Sequence, residues 1–194
     1  MWNSMKRKRS ARNRRARRRL FLILLALLAL LLIWPRTVHL EGLVSPYAIL
    51  VDADSGEAVA EKEADTSIYP ASMTKVMTAL LALEANPNLE QPVTLPEDIF
   101  PALRAEGASM AGFRPGETAT VRDLLYGALL PSGAECCEAL AREVSGSEEA
   151  FVELMNQKAA ELGMRSTHFC NPTGLHDPEH VSTVRDMARL LRAA

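Results

Sequence analysis

The residues best suited to chemistry are Ser72 and Lys75, which stand three positions apart where a helix is predicted to begin. On a helix this spacing places both side chains on one face, so the lysine amine can take the proton of the serine hydroxyl. The helix N-terminus also adds partial positive charge where an acyl oxyanion would form. The same spacing is expected about once by chance in a chain of this length. Spacing alone therefore favours a helix cap followed by a solvated lysine.

The elements that would position this pair begin with a hairpin. Residues 47–53 are predicted to form a strand, the Asp-Ser-Gly at 54–56 a turn, and residues 57–62 the returning strand. Residues 85–120 are rich in Pro, Gly and Glu, and only 93–95 is predicted there as a strand. A further short strand is predicted at 167–170. Few strands and many helices indicate an α+β domain.

The helices follow from apolar periodicity and from caps. Ser147 is expected to cap one helix, and Gly163 is expected to end it. The predicted helices cover residues 72–84, 121–130, 134–144, 148–162 and 183–194.

Three separated segments then resemble one family in the expected order. Residues 69–75 (Tyr-Pro-Ala-Ser-Met-Thr-Lys) resemble the nucleophile motif of the serine-type D-alanyl-D-alanine carboxypeptidases, the low-molecular-mass penicillin-binding proteins of peptidase family S11. Residues 121–133, ending in Leu-Pro-Ser-Gly, resemble the second motif, and residues 163–177 resemble the segment after it. The resemblance covers about residues 46–194. It implies a β-lactamase/transpeptidase-like α+β fold, with an antiparallel sheet packed against helices.

The resemblance also implies roles for three residues. Ser72 would be the nucleophile that forms the acyl-enzyme, Lys75 its general base, and Ser132 the second hydroxyl, which relays a proton to the leaving D-alanine. The family needs no metal or other cofactor. Its substrate is the peptidoglycan stem pentapeptide, from which it removes the terminal D-alanine during peptidoglycan biosynthesis. The resemblance further implies that β-lactams acylate Ser72 as covalent inhibitors.

The sequence departs from the family pattern at two places. Ala134 stands two positions after Ser132, where the family usually has an asparagine that positions substrate. No lysine of this chain begins the Lys-Thr-Gly-type triplet of the family's third motif. We therefore expect the catalytic domain to be partial, incomplete at its C-terminus. If the polypeptide ends at Ala194, we expect little activity and poor folding.

Other functional classes are weighed against this one. A β-lactamase would need an added carboxylate to activate water, and no segment clearly supplies one. A non-catalytic cell-wall-binding or penicillin-sensing homologue would fit Ala134 and the absent triplet, although Ser72 and Lys75 are both present. A zinc peptidase could use His168, His176 and His180, but their spacing lacks a recognised ligand pattern, so no metal is predicted.

The N-terminal residues are typical of a membrane address. Residues 1–19 hold ten of the 22 bases and no acid, and residues 20–34 are apolar and uncharged. This pattern predicts a basic cytoplasmic arm, an uncleaved signal anchor or transmembrane helix at 20–34, and a linker at 35–45. The acidic catalytic domain at 46–194 would then lie outside the cytoplasmic membrane, or be secreted if the signal is cleaved. We do not expect the basic arm to bind nucleic acid.

The cysteines leave their redox state open. An exported domain permits disulfides, so Cys170 could bond Cys136 or Cys137, which are adjacent in sequence and unlikely to bond each other. The alternative is that all three are small buried hydrophobic residues.

Overall fold

A computed structural model describes residues 42–194 together with Ile23, Leu25, Val38 and Leu40. The predicted basic arm at 1–19 lies outside the described residues, as does the predicted anchor at 20–34 apart from Ile23 and Leu25. In the part of the chain that the structure describes, no helix is both long and apolar enough to cross a membrane. The elements below all belong to the unit His39–Ala194.

The predicted hairpin is present. Strand β1 (Ala48–Val51) pairs antiparallel with β2 (Ala58–Lys62), with Ala48 opposite Lys62. The Asp52 carboxylate accepts the backbone N–H groups of Asp54 and Ser55, and Gly56 adopts φ 75°, which closes the turn. The Asp-Ser-Gly signal therefore marked a real turn.

A second antiparallel pair lies in the segment where only one strand was predicted. Strand β3 (Pro92–Thr94) pairs with β4 (Thr118–Thr120), and helix α2 (Ile99–Ala105) lies between them in sequence. Both β4 and α2 were missed. They are three and seven residues long, too short for periodicity to show, and α2 is fixed by burial of Ile99 and Phe100.

The other helices agree with the predictions to within a few residues. Helix α1 is preceded by a 3₁₀ turn at Ala71–Thr74, so the predicted single helix is two elements. Thr120, Ser147 and Thr183 each cap a helix by accepting a backbone N–H, and Gly163 follows α5 with φ 71°. The helices are α1 (Lys75–Ala85), α3 (Val121–Leu129), α4 (Ala134–Ser145), α5 (Glu148–Glu161) and α6 (Val184–Ala193).

Two apolar clusters hold these elements together, and α1 lies between them. One cluster joins α1 to α2, α3, α4 and β3, with Phe100, Leu124 and Leu140 at its centre. The other joins α1 to α5 and α6 through Phe151 and Phe169. Because α1 is covered on opposite sides, its polar residues Lys75 and Thr78 are buried along with its apolar ones.

The predicted strand at 167–170 is reduced to one bridge. His168 pairs with Val181, and Ile68 pairs with Ser182, as isolated antiparallel bridges outside any strand. Hydrogen bonds to side chains replace a ladder here, since Asn156 accepts the N–H of Phe169 and His180 accepts that of Cys170. The α+β class is confirmed, with two small antiparallel sheets among the described residues rather than one larger sheet.

Candidate active site

The predicted nucleophile, Ser72, lies in the 3₁₀ turn that leads into α1. Its side chain is exposed, whereas Thr74 and Lys75 immediately after it are buried. Ala71 adopts φ 48°, a conformation that is uncommon for a residue with a Cβ atom. Backbone strain of this kind persists only where the surroundings enforce it, so the position of Ser72 is set by its neighbours.

Lys75 is the most informative residue of the site. Only 5% of it is exposed, and its Nζ atom lies 3.3 Å from Ser72 Oγ and donates to the carbonyl oxygen of Thr173. Burial lowers the pKa of this amine from the usual value for lysine, because a desolvated ammonium is unfavourable. No carboxylate within reach forms an ion pair with it in the described chain. A neutral Lys75 can donate to Thr173 and direct its lone pair to the serine hydroxyl.

Ser132 completes the predicted set. Its hydroxyl donates to Ser72 Oγ over 2.9 Å, although the two residues are 60 positions apart in sequence. Ser132 adopts φ 65°, and the following Gly133 donates its N–H to the carbonyl of Gly127. A Cβ atom at Gly133 would lie 2.6 Å from that of Ala111, so only glycine fits this close approach. The structure therefore brings Ser72, Lys75 and Ser132 together.

The loop at residues 171–175, for which the sequence predicted no role, packs against the site. The Asn171 side-chain oxygen accepts the N–H groups of Thr173 and Gly174 and the hydroxyl of Thr173. Two backbone carbonyls of this turn accept hydrogen bonds from side chains of α1. The carbonyl of Thr173 accepts from Lys75 Nζ, and that of Pro172 accepts from the Thr78 hydroxyl. The signal was present in the sequence, since Asn-Pro-Thr-Gly is a strong turn motif.

Gly174 fixes the distance between this loop and the nucleophile. It adopts φ 79°, and a Cβ atom there would lie 1.9 Å from the carbonyl oxygen of Ala71 and 3.1 Å from the nitrogen of Ser72. The loop and the nucleophile turn are thus in direct backbone contact.

Ala134 begins α4 and is buried at 1% exposure. Its N–H donates to the carbonyl of Ser109 over 2.8 Å, but its methyl group can form no hydrogen bond to substrate. The departure from the family pattern therefore leaves the local backbone paired and removes only a side-chain amide.

The cysteines are free thiols. Cys136 and Cys137 are fully buried in α4, as expected for small hydrophobic residues, whereas Cys170 is only partly buried. Burial raises the pKa of the Cys137 thiol to about 12, so this neighbour of Lys75 is neutral.

The three histidines do not converge. His180 is buried, and its Nε2 and Nδ1 atoms bond the Thr74 hydroxyl and the Cys170 N–H respectively. Burial lowers the pKa of His180 to about 4, so it is neutral and supports the nucleophile turn from below. His176 packs edge-on against Tyr69 with ring centroids 4.7 Å apart. Among the described residues, no group of three or more potential ligand side chains is arranged to hold a metal ion.

With this geometry established, comparisons with known proteins identify the family. The family of D-alanyl-D-alanine carboxypeptidases, Peptidase_S11, matches residues 36–194. The chain belongs to this family. The D-alanyl-D-alanine carboxypeptidase DacF of Bacillus subtilis is 40% identical over 141 residues, which are 73% of this chain and 36% of that protein. DacC of Escherichia coli, also a D-alanyl-D-alanine carboxypeptidase, is 40% identical over 166 residues, which are 81% of this chain and 41% of that protein.

Solved structures of this peptidase family share the fold. Penicillin binding protein 6B from Escherichia coli superimposes with a TM-score of 0.75 at 30% identity, covering 82% of this chain and 52% of that one. The predicted β-lactamase/transpeptidase-like α+β fold is confirmed. The chain spans about 36–41% of the length of the two curated relatives.

Proposed function

We propose that this chain carries the acylation centre of a serine-type D-alanyl-D-alanine carboxypeptidase, with Ser72 as nucleophile, Lys75 as base and Ser132 as proton relay. One observation supports this assignment above all others. Ser72 Oγ lies within hydrogen-bond reach of both Lys75 Nζ and Ser132 Oγ, and the lysine is buried without a carboxylate partner. A solvated lysine after a helix cap would be exposed, so the alternative interpretation of the spacing does not fit.

The geometry fits a two-step reaction. Lys75 in its neutral form takes the proton of Ser72, and Oγ attacks the carbonyl carbon of the penultimate D-alanine. The C–N bond to the terminal D-alanine then breaks, and the proton that Lys75 took from Ser72 passes through the Ser132 hydroxyl to the leaving amine, so that Lys75 and Ser132 regain their starting protonation states. Water hydrolyses the resulting ester in the second step, which returns Ser72 to its starting state.

The same centre would react with β-lactams. Attack of Ser72 on the lactam carbonyl opens the ring and forms an ester. The amine of the opened ring stays attached to this ester and does not leave the site, so it hinders the approach of the water that would hydrolyse the ester. Peptidoglycan stem peptides are therefore the proposed substrates and β-lactams the proposed covalent inhibitors.

One feature of the sequence limits the rate that we expect. Ala134 supplies no side-chain amide to the substrate, where the family usually has an asparagine. Because that amide would help to position the substrate, we expect slow release of D-alanine.

The test compares two substrates on the same protein. The full chain is incubated with a diacylated L-lysyl-D-alanyl-D-alanine peptide and, separately, with benzylpenicillin, and free D-alanine and penicilloic acid are measured. Slow release of D-alanine, with less than one equivalent of free penicilloic acid over the same period, supports the carboxypeptidase. Rapid turnover of benzylpenicillin without D-alanine release would indicate a β-lactamase. Reaction with neither substrate, by a chain that circular dichroism shows to be folded, would indicate a non-catalytic homologue.

Matched serine variants show whether Ser72 is responsible. Ser72→Ala should abolish both reactions, whereas Ser67→Ala, at an exposed serine five residues earlier, should leave them unchanged. Circular dichroism of both variants excludes a folding defect as the cause.

The domain organisation and location remain part of the proposal. Residues 1–19 form a cytoplasmic arm, 20–34 a signal anchor, 35–45 a linker and 46–194 the catalytic part outside the cytoplasmic membrane. Ten bases before an uncharged run of fifteen residues support this orientation. In bacteria expressing the chain, protease added to spheroplasts should digest the catalytic part, and the chain should stay in the pellet after alkaline carbonate extraction. Digestion only after lysis, or extraction into the supernatant, would contradict the proposal.

A further inference from the structure

A cleft of about 350 Å³ lies on the opposite side of the loop that holds Lys75. Its walls come from α2, α4, the start of α5 and residues 170–177, and they include Asn171 and Thr173 of the loop. None of the three proposed catalytic residues lines it. The volume is in the range that small-molecule sites occupy.

Glu138 projects from α4 into this cleft. Only 6% of the residue is exposed, yet its carboxylate forms no hydrogen bond or ion pair with any residue that the structure describes. Buried carboxylates are normally paired or hydrogen-bonded. Burial, with the nearby carboxylate of Glu148, raises the pKa of Glu138 to about 8. Its carboxylate is not fully enclosed, so it faces the cleft without a partner among the described residues.

The remaining charges of the cleft favour a cation. Glu106, Glu148 and Asp177 also line it, and the base among the lining residues besides His176 is Arg142. Arg142 is already engaged, because its guanidinium donates to both oxygens of Asp98 at 2.9 and 2.8 Å. The arginine cannot neutralise Glu138 fully while it holds this bond.

The side chains that line the cleft favour an organic cation over a metal ion. No three ligand side chains converge in the described part of the chain, as direct metal coordination would require. An alkylammonium group needs only one carboxylate and a few other acceptors for its three N–H donors, and its carbon chain can pack on Leu103 and Leu175.

We propose that this cleft is a binding site for a small primary amine, whose ammonium group pairs with Glu138 while its carbon chain lies along the apolar wall. The amine could be a free diamine or a lysine-type side chain of a peptide. Both have the same chemistry at the end that enters the cleft.

The test is isothermal titration calorimetry of the full chain with two amine probes, 1,5-diaminopentane and Nα-acetyl-L-lysine methylamide. 1,5-Pentanediol serves as the uncharged control. Glu138→Gln removes the charge at nearly constant volume, and Glu153→Gln removes one charge from an exposed position on α5 outside the cleft. Circular dichroism verifies that both variants are folded.

We expect saturable one-to-one binding of at least one amine, weakened at least about tenfold by Glu138→Gln, or about 1.4 kcal/mol, and unchanged within about twofold by Glu153→Gln. The amine that binds more tightly then shows whether the ligand is a free diamine or a lysine-type side chain. Absence of binding at millimolar concentration would overturn the proposal. Equal loss in both variants, or equal binding of the diol, would overturn it as well.

Discussion

Two buried ionisable groups, Lys75 and Glu138, lie on opposite sides of the loop at 171–175, and the protein treats them differently. Lys75 has two hydrogen-bond partners, Ser72 Oγ and the carbonyl of Thr173. Glu138, with similar burial, has none among the described residues. In both cases desolvation favours the neutral form of the group. It lowers the pKa of the Lys75 amine and raises the pKa of the Glu138 carboxyl to about 8.

The difference lies in the partners: the protein supplies two hydrogen-bond partners for Lys75 but, among the described residues, none for Glu138. Burial favours the unprotonated form of the Lys75 amine, which is the form that a general base needs in order to accept a proton. Burial and the nearby Glu148 carboxylate raise the pKa of Glu138 to about 8, which favours its neutral form. Burial alone therefore does not identify a catalytic group, and the hydrogen-bond partners of the buried group must also be known.

The largest expected effect is on the lysine side of the loop. Lys75→Met removes the base, and the rate of Ser72 acylation by a fluorescent penicillin should fall by about 10²–10⁴, the usual contribution of a positioned general base. Lys62→Met, at a lysine that bonds the carbonyl of Leu43, is the matched control and should leave the rate unchanged. A loss of less than about tenfold in Lys75→Met would remove the lysine from the mechanism.

The loop between the two groups is the next target. Gly174→Ala places a Cβ atom 1.9 Å from the Ala71 carbonyl oxygen, so the loop and nucleophile turn must separate. We expect the free energy of unfolding, measured in urea, to fall by at least about 2 kcal/mol, with a loss of acylation.

Gly163→Ala separates the two causes of that loss. Gly163 also has positive φ, 71°, but no atom lies within 4 Å of its would-be Cβ. Its cost should be limited to conformational strain of about 1 kcal/mol, without loss of acylation. Equal effects of the two variants would show that the contact with Ala71 does not matter.

The smallest expected effect is the pH dependence at Glu138. Since its pKa is raised from 4.5 to about 8 in the folded protein, the folded state holds this proton more tightly than the unfolded state. Its contribution to stability is full below pH 4.5 and is lost as the pH rises toward 8.

Glu138→Gln removes this dependence. The unfolding free energy of the variant minus that of the wild type should therefore rise between pH 5 and pH 8 by at least about 1 kcal/mol, the equivalent of roughly one pKa unit. Urea titrations at both pH values measure it. A constant difference between the two pH values would mean that Glu138 is paired in solution.

Much of this arrangement could be predicted from the sequence where local signals are strong. The hairpin turn at 54–56, the Ser147 cap and the Gly163 helix end rest on short-range chemistry, and each was located correctly. The encounter of Ser72 with Ser132 followed from family resemblance, because a contact across 60 residues leaves no periodic signal.

The parts that were missed depend on tertiary contacts. Helix α2 and strand β4 are too short to show a pattern, and β4 forms because β3 offers it a partner. The role of Asn171 is likewise invisible until the fold places its turn beneath Lys75. Glu138 reads as an ordinary helix residue in sequence, and only the packing of α2 and the 170–177 loop around it reveals its burial.

The most direct test of the central claim is intact-mass spectrometry of the full chain after incubation with benzylpenicillin, beside Ser72→Ala and Ser67→Ala. We expect one added benzylpenicillin in the wild type and in Ser67→Ala, and none in Ser72→Ala. A folded wild-type chain that gains no mass, or an adduct that persists in Ser72→Ala, would contradict the assignment of Ser72, Lys75 and Ser132 as an acylation centre.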